Sequence, residues 1–152
     1  MDINNLIYTD EALSVIDSGM WTDAGDEAPG VKFFVTGFQA KHAQSLMRQK
    51  QAAARLKNRG KPLSEEQNAQ CTKEVIVESV LKDWQGLESN GEPVPYSIDT
   101  ARNWIMSRNG ELFTMLVLSA AKWVDAQASE LSKALAKNSQ PASDGASTIQ
   151  TL

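Results

Sequence analysis

One cysteine, Cys71, and one histidine, His42, are the only thiol and imidazole in 152 residues. A lone cysteine excludes an intramolecular disulfide and points to a reducing compartment. Zinc-type centres need several Cys or His at ligand spacing, and these two lie well apart in sequence. No window approaches the roughly 18 consecutive apolar residues of a membrane span. The N-terminus, MDINNLIYTDEA, has no basic region and does not read as a secretory signal, so a cytoplasmic location is expected. Also missing are the glycine-rich phosphate loop, the GxGxxG turn and the GxSxG elbow. Cys71, flanked by Gln70 and Thr72, has no His placed to activate it and reads as a packing residue. His42 lies in a polar helical stretch and reads as solvent-exposed. Asp23, Asp26 and Glu27 lack the alternating oxygen ligands of a calcium loop and read as a solvated turn. Neither an enzyme nor a cofactor is expected.

What is present fits one soluble domain. An apolar share of 41% and a charged share of 22% suit a packed core rather than disorder. A net charge of −4 argues against a dedicated nucleic-acid or anionic-membrane binder. The charge is segregated. Before Lys32 every charged side chain is acidic (Asp2, Asp10, Glu11, Asp17, Asp23, Asp26, Glu27), and from Lys41 to Lys61 every one is basic. Solvated faces are the simple reading of this, and partner-facing patches of opposite sign the alternative. The basic stretch has no interleaved aromatics for base stacking, which leaves nucleic acid an unlikely partner.

Periodicity suggests mainly α structure with a small N-terminal β-hairpin, about four helices forming a compact bundle. Thr9–Ile16 reads as a short capped helix or as a strand. Met20–Thr22 reads as extended, and Val31–Thr36 alternates as the clearest strand. Ala40–Gly60 is a surface helix with few apolar positions. Ser64 and Gln67 form a capping box opening a second helix, whose Val77, Val80, Leu81 and Trp84 follow buried-stripe spacing. Ser97 caps a third, with Ile98, Ala101, Trp104 and Ile105 inward, and Asn109-Gly110 breaks it through positive φ. The last helix, about Glu111–Ala136, carries Phe113, Leu116, Val117, Ala120, Val124, Leu131 and Leu135 on one face. Residues 1–138 thus read as one globular domain, an extended unit over 1–37 and a helical part over 40–138, followed by a disordered tail over 139–152.

Between two of these helices lies an unusually furnished connector, WQGLESNGEPVPY, Trp84–Tyr96. Gly86, Asn90 and Gly91 allow tight reversals, and Pro93 and Pro95 stiffen its exit. Together with IDSGMW (Ile16–Trp21) and PGVKFFVTG (Pro29–Gly37), this segment resembles the tail assembly chaperones of long-tailed bacteriophages. In that family a helix ending in tryptophan and glycine leads to a G-x-P-x-P-Y-[ST] connector. Trp84, Gly86, Gly91, Pro93, Pro95, Tyr96 and Ser97 match it here, as a structural signature.

The resemblance implies a non-catalytic protein of the bacterial host cytoplasm that binds the tape-measure protein and helps recruit tail-tube subunits during tail assembly. It is compatible with self-association, and with a longer frameshifted product extending the C-terminal end. A structural virion subunit of tail or neck is the second reading, a nucleic-acid-binding regulator the third. Trp104, Met115 and Trp123 are the expected partner-binding side chains, in a groove between the Ile98–Arg108 helix and the last helix. Trp84 is expected to fill the core, and Trp21 reads either way.

Overall fold

The computed structural model describes residues 1–138, so the tail expected at 139–152 lies outside the described residues. Thr9 caps the first element: its Oγ1 accepts from Ala12 N at 3.1 Å, and Asp10 and Glu11 sit in the positive first turn. Of the two readings of this segment the helix is found, α1 over Asp10–Ser18, with Ala12 and Ile16 inward. Strands β1 (Met20–Asp23) and β2 (Lys32–Val35) then pair antiparallel, Thr22 opposite Phe33. Helix α2 (Lys41–Lys57) buries only Ala43, as a polar surface helix should. Ser64 Oγ accepts from Gln67 N and Gln67 Oε1 from Ser64 N, the complete capping box that opens α3 (Glu65–Val75).

The expected fold, a small N-terminal hairpin beside about four helices, is corrected at this point. Helix α3 stops at Val75, passes through a wide π-type turn over Ile76–Val80, and the chain enters a third strand, β3 (Leu81–Gln85). This strand pairs with β2, giving a three-stranded antiparallel sheet of order β1-β2-β3. The stripe Val77–Val80–Leu81–Trp84 is buried as expected, but not as one helical face. Phe34 faces Asp83 and Val35 faces Leu81, which leaves Lys82 as an extra, unpaired residue. Such a bulge turns Leu81 and Trp84 to the same side of the sheet. In a flat strand, residues three apart face opposite ways, so the bulge imitates a helical repeat. A second, two-stranded ribbon joins β4 (Glu88–Ser89) to β5 (Glu92–Pro93) inside the connector. Among the described residues there are thus five α-helices and two small sheets.

The two remaining helices are α4 (Ile98–Met106) and α5 (Glu111–Asn138). Ser97 caps α4, its Oγ accepting from Thr100 N at 3.0 Å. The break between them is not made by positive φ at Asn109 or Gly110. Ser107 turns extended instead, φ −86° and ψ 140°, and a 3-10 turn over Arg108–Gly110 leads directly into α5. Helix α5 lies across the inner face of the three-stranded sheet, with Phe113 edge-on to Phe33 at 5.6 Å between ring centres. Val117, Ala121, Val124 and Ala128 fill one core with Ile16, Phe33, Val35, Val80 and Leu81. Sequence from both expected parts therefore shares one sheet and one core.

Asp125 ties α5 to the β2–α2 loop, its two carboxylate oxygens accepting from Phe38 N at 3.0 Å and Gln39 N at 3.1 Å. Burial raises its pKa, and the two backbone N–H groups partly offset that. A carboxyl raised in the folded state favours folding most fully below its unfolded pKa, and that contribution fades as pH rises through the folded one. Asp125→Ala orphans both N–H groups and is expected to cost about 2 kcal/mol at acidic pH. The cost should shrink toward neutrality, because the variant also removes a desolvated charge. Urea unfolding of both proteins at pH 4 and pH 7 checks this, and an equal or larger loss at pH 7 contradicts it.

Candidate functional site

Trp84 is the centre of an aromatic group. Its indole stacks on Trp104 (5.1 Å, 16° between planes) and meets Tyr96 and Phe113 edge-to-face at 5.0 and 5.9 Å. The connector closes over it: Trp84 Nε1 donates to Val94 O at 2.8 Å, and Tyr96 Oη donates to Leu81 O at 3.3 Å. Asn90 and Gly91 have φ of 54° and 84°, the two positive values of a type I′ turn between Ser89 and Glu92. Pro93 sits on the ribbon opposite Glu88, Pro95 precedes Tyr96, and Ser97 caps α4. Trp84, Gly91, Pro93, Tyr96 and Ser97 thus lie where one strand, one ribbon and one helix meet.

The three expected partner-binding side chains are not brought together. Trp104 is half-buried against Trp84 and Phe113 and lines a shallow hollow with Ser107, Asn109 and Gly110 between α4 and α5. Met115 and Trp123 lie elsewhere, 62% and 46% exposed, and Leu112 joins them at 52%. Leu112, Met115, Ser119 and Trp123 follow steps of three and four, so they form one stripe on the outer side of α5. It runs about 16 Å along the helix.

Trp123 also walls a hollow of about 410 Å³ beside β1, with Trp21, Thr22 and Asp23 on the strand and Ser119 and Ala120 beneath. Trp21, edge-on to Phe34 at 5.5 Å, is 38% exposed there. That Trp21 and Trp123 share one depression was beyond sequence reasoning, because a strand and a distant helix show no common period. Leu112 was missed for a simpler reason: it flanks the apolar face of α5 rather than belonging to it.

A family description of the YdaY prophage protein matches residues 38–138, about two thirds of the chain. The chain belongs to the YdaY prophage protein family. Neither the curated proteins nor the solved structures contain a match. The match to the YdaY family runs from the loop before α2 to α5, so it includes the connector, the aromatic group and the α5 stripe. It leaves out α1, β1 and β2, and with them Trp21.

In this YdaY-family chain the one thiol is buried and the one imidazole is exposed. Ser79, 2% exposed, shares a hydrogen bond of 2.8 Å with His42 Nδ1. The contact fastens α2 to the π-type turn, and both side chains line a hollow of about 460 Å³ with Asp17, Thr36 and Lys82. Cys71 is buried, and burial together with nearby Glu74 raises its pKa. Its reaction with an aromatic disulfide reagent at pH 8 is expected to be at least about tenfold slower in the folded protein than in urea. Equal rates, followed by absorbance, would contradict that packing. Among the described residues no three His, Cys, Asp or Glu side chains gather as a metal site, and no helix is long and apolar enough to cross a membrane. On the basic helix α2, Lys50 is engaged by Glu74 at 3.2 Å and Glu78 at 3.0 Å. These partners raise its pKa and hold its charge against α3 and the π-type turn.

Proposed function

We propose that this prophage-family protein is a non-catalytic tail assembly chaperone of the bacterial host cytoplasm. It binds the tape-measure protein through the outer stripe of α5 and helps bring tail-tube subunits to it. One observation carries the reading: Leu112, Met115 and Trp123 stand exposed in line along a helix whose opposite face is fully used by the core. A tape-measure helix presents apolar ridges until the tube encloses it, and a helix face with a few spaced anchors covers such ridges reversibly. Methionine adapts to irregular partners and tryptophan supplies a large anchor. The connector signature supports the same reading from the sequence side. Sequestration of Lys50 by two glutamates weighs against a nucleic-acid role.

The test is co-expression with the tape-measure protein of the same prophage. Trp123→Ala and Met115→Glu, each checked for native unfolding behaviour, are expected to weaken capture by about thirtyfold or more. Undiminished capture by both folded variants refutes the stripe as the contact. Purified tails should lack the protein, whereas a virion subunit would be found in them stoichiometrically.

A further inference from the structure

Strand β1 is an edge strand, paired on one side only. Ala24 N donates to Val31 O at 2.9 Å, which sets the phase of the β1–β2 ladder. In an antiparallel pair bonded and non-bonded positions alternate, so Thr22 and Met20 bond toward β2. Trp21 and Asp23 therefore turn their N–H and C=O groups outward. Natural edges are blunted by lysine, proline or a covering segment. On β1 there is no lysine or proline, and an exposed tryptophan stands in the strand.

Three further features surround this edge. Thr22 is 5% exposed, lines the hollow against α5, and its Oγ1 is buried with no hydrogen-bond partner. Ser119 and Ala120 give that hollow a small-residue floor. Asp23 borders it and, among the described residues, forms no ion pair, although Lys32 stands opposite it on β2 and lines the hollow too.

We propose that the β1 edge is a docking site for an extended peptide strand carrying lysine or arginine, which pairs with the outward backbone groups of Trp21 and Asp23. Side chains of an added strand alternate between faces. Those on the outer face lie beside the Trp21 indole and the Asp23 carboxylate, and both favour a cation. The residue between two such cations enters the hollow beside Thr22, where a hydroxyl satisfies the orphaned Oγ1. A second copy of this chain is the poorer occupant: β1, Met20–Asp23, carries no cation to set beside Asp23. The hollow shares Ser119 and Trp123 with the α5 stripe, but the backbone edge of β1 lies outside that stripe, so the proposal stands whether or not tape-measure capture does.

The probe is a blocked, fluorescent heptapeptide, TVRTRVT, with the full-length protein. Binding by anisotropy, together with amide shifts at Trp21 and Asp23 by NMR, is the expected result. Three changes should each weaken it by about tenfold or more: N-methylation of both arginines, replacement of both arginines by glutamate, and Trp21→Pro. Trp21→Phe should keep most of the affinity. N-methylation alters only the probe, so the test survives if the proline variant does not fold. The proposal is overturned by an N-methylated probe that binds as tightly as the parent. Shifts confined to the α5 stripe would overturn it too, as would edge amides that shift with protein concentration and not with the probe.

Discussion

Replacing Trp84 by alanine is expected to lower the unfolding free energy by about 4 kcal/mol, the upper range for loss of a buried aromatic side chain. The side chain is 4% exposed and touches three other rings, so the vacated space borders Trp104, Tyr96 and Phe113 at once. Removing it also leaves Val94 O without its donor, so that Tyr96 Oη to Leu81 O is left to tie the connector to β3. Domains of this size hold roughly 5–15 kcal/mol in total, so the variant should be poorly folded at 37 °C. Trp84→Phe keeps much of the stacking and loses the indole N–H, and should cost about half as much. Urea titrations followed by far-UV circular dichroism measure both. An alanine variant within about 1 kcal/mol of the parent would remove the aromatic group as the organising centre.

That centre was half legible. Burial of Val77, Val80, Leu81 and Trp84 followed from their spacing, and the capping boundaries at Ser64 and Ser97 followed from local chemistry that needs no tertiary partner, whereas a cap at Thr9 was one of two open readings. The element type did not, because a bulge at Lys82 makes residues three apart share a face of a strand. Pairing with β2 then outweighs helix propensity, as long-range ladders commonly do. The Asn90-Gly91 reversal was readable from two residues, yet the flanking strands are only two residues each, too short for any period. The candidate surfaces were legible in part. Met115 and Trp123 were expected in a groove with Trp104 and are exposed, while Trp104 is shared between the aromatic group and a separate hollow. The meeting of Trp21 with Trp123, and the unpaired edge beside them, depends on how α5 lies against the sheet. Nothing local encodes that.

Gly86→Ala is expected to cost about 3 kcal/mol, against about 1 kcal/mol for Gly91→Ala, and the difference isolates what the connector does. Both glycines have nearly the same φ, 85° and 84°, so both variants carry the same left-handed penalty. Their surroundings differ. Around Gly91 an added methyl meets nothing within 4 Å, whereas at Gly86 it runs into the Gly30 carbonyl and lies 3.3 Å from Val31 Cα. Gly86 follows Gln85, which faces Lys32, so the collision falls where β3 leaves the end of β2. Relief would require prising apart two backbones at the mouth of the sheet rather than moving a flexible side chain. If the two variants lose equal stability in urea, close backbone approach is not the reason for a glycine at 86. The pair also separates scaffold from binding surface. Gly91→Ala, still folded, should capture the tape-measure protein as well as the parent does, because the α5 stripe is untouched. Loss of capture without loss of stability would move the contact from α5 to the ribbon tip.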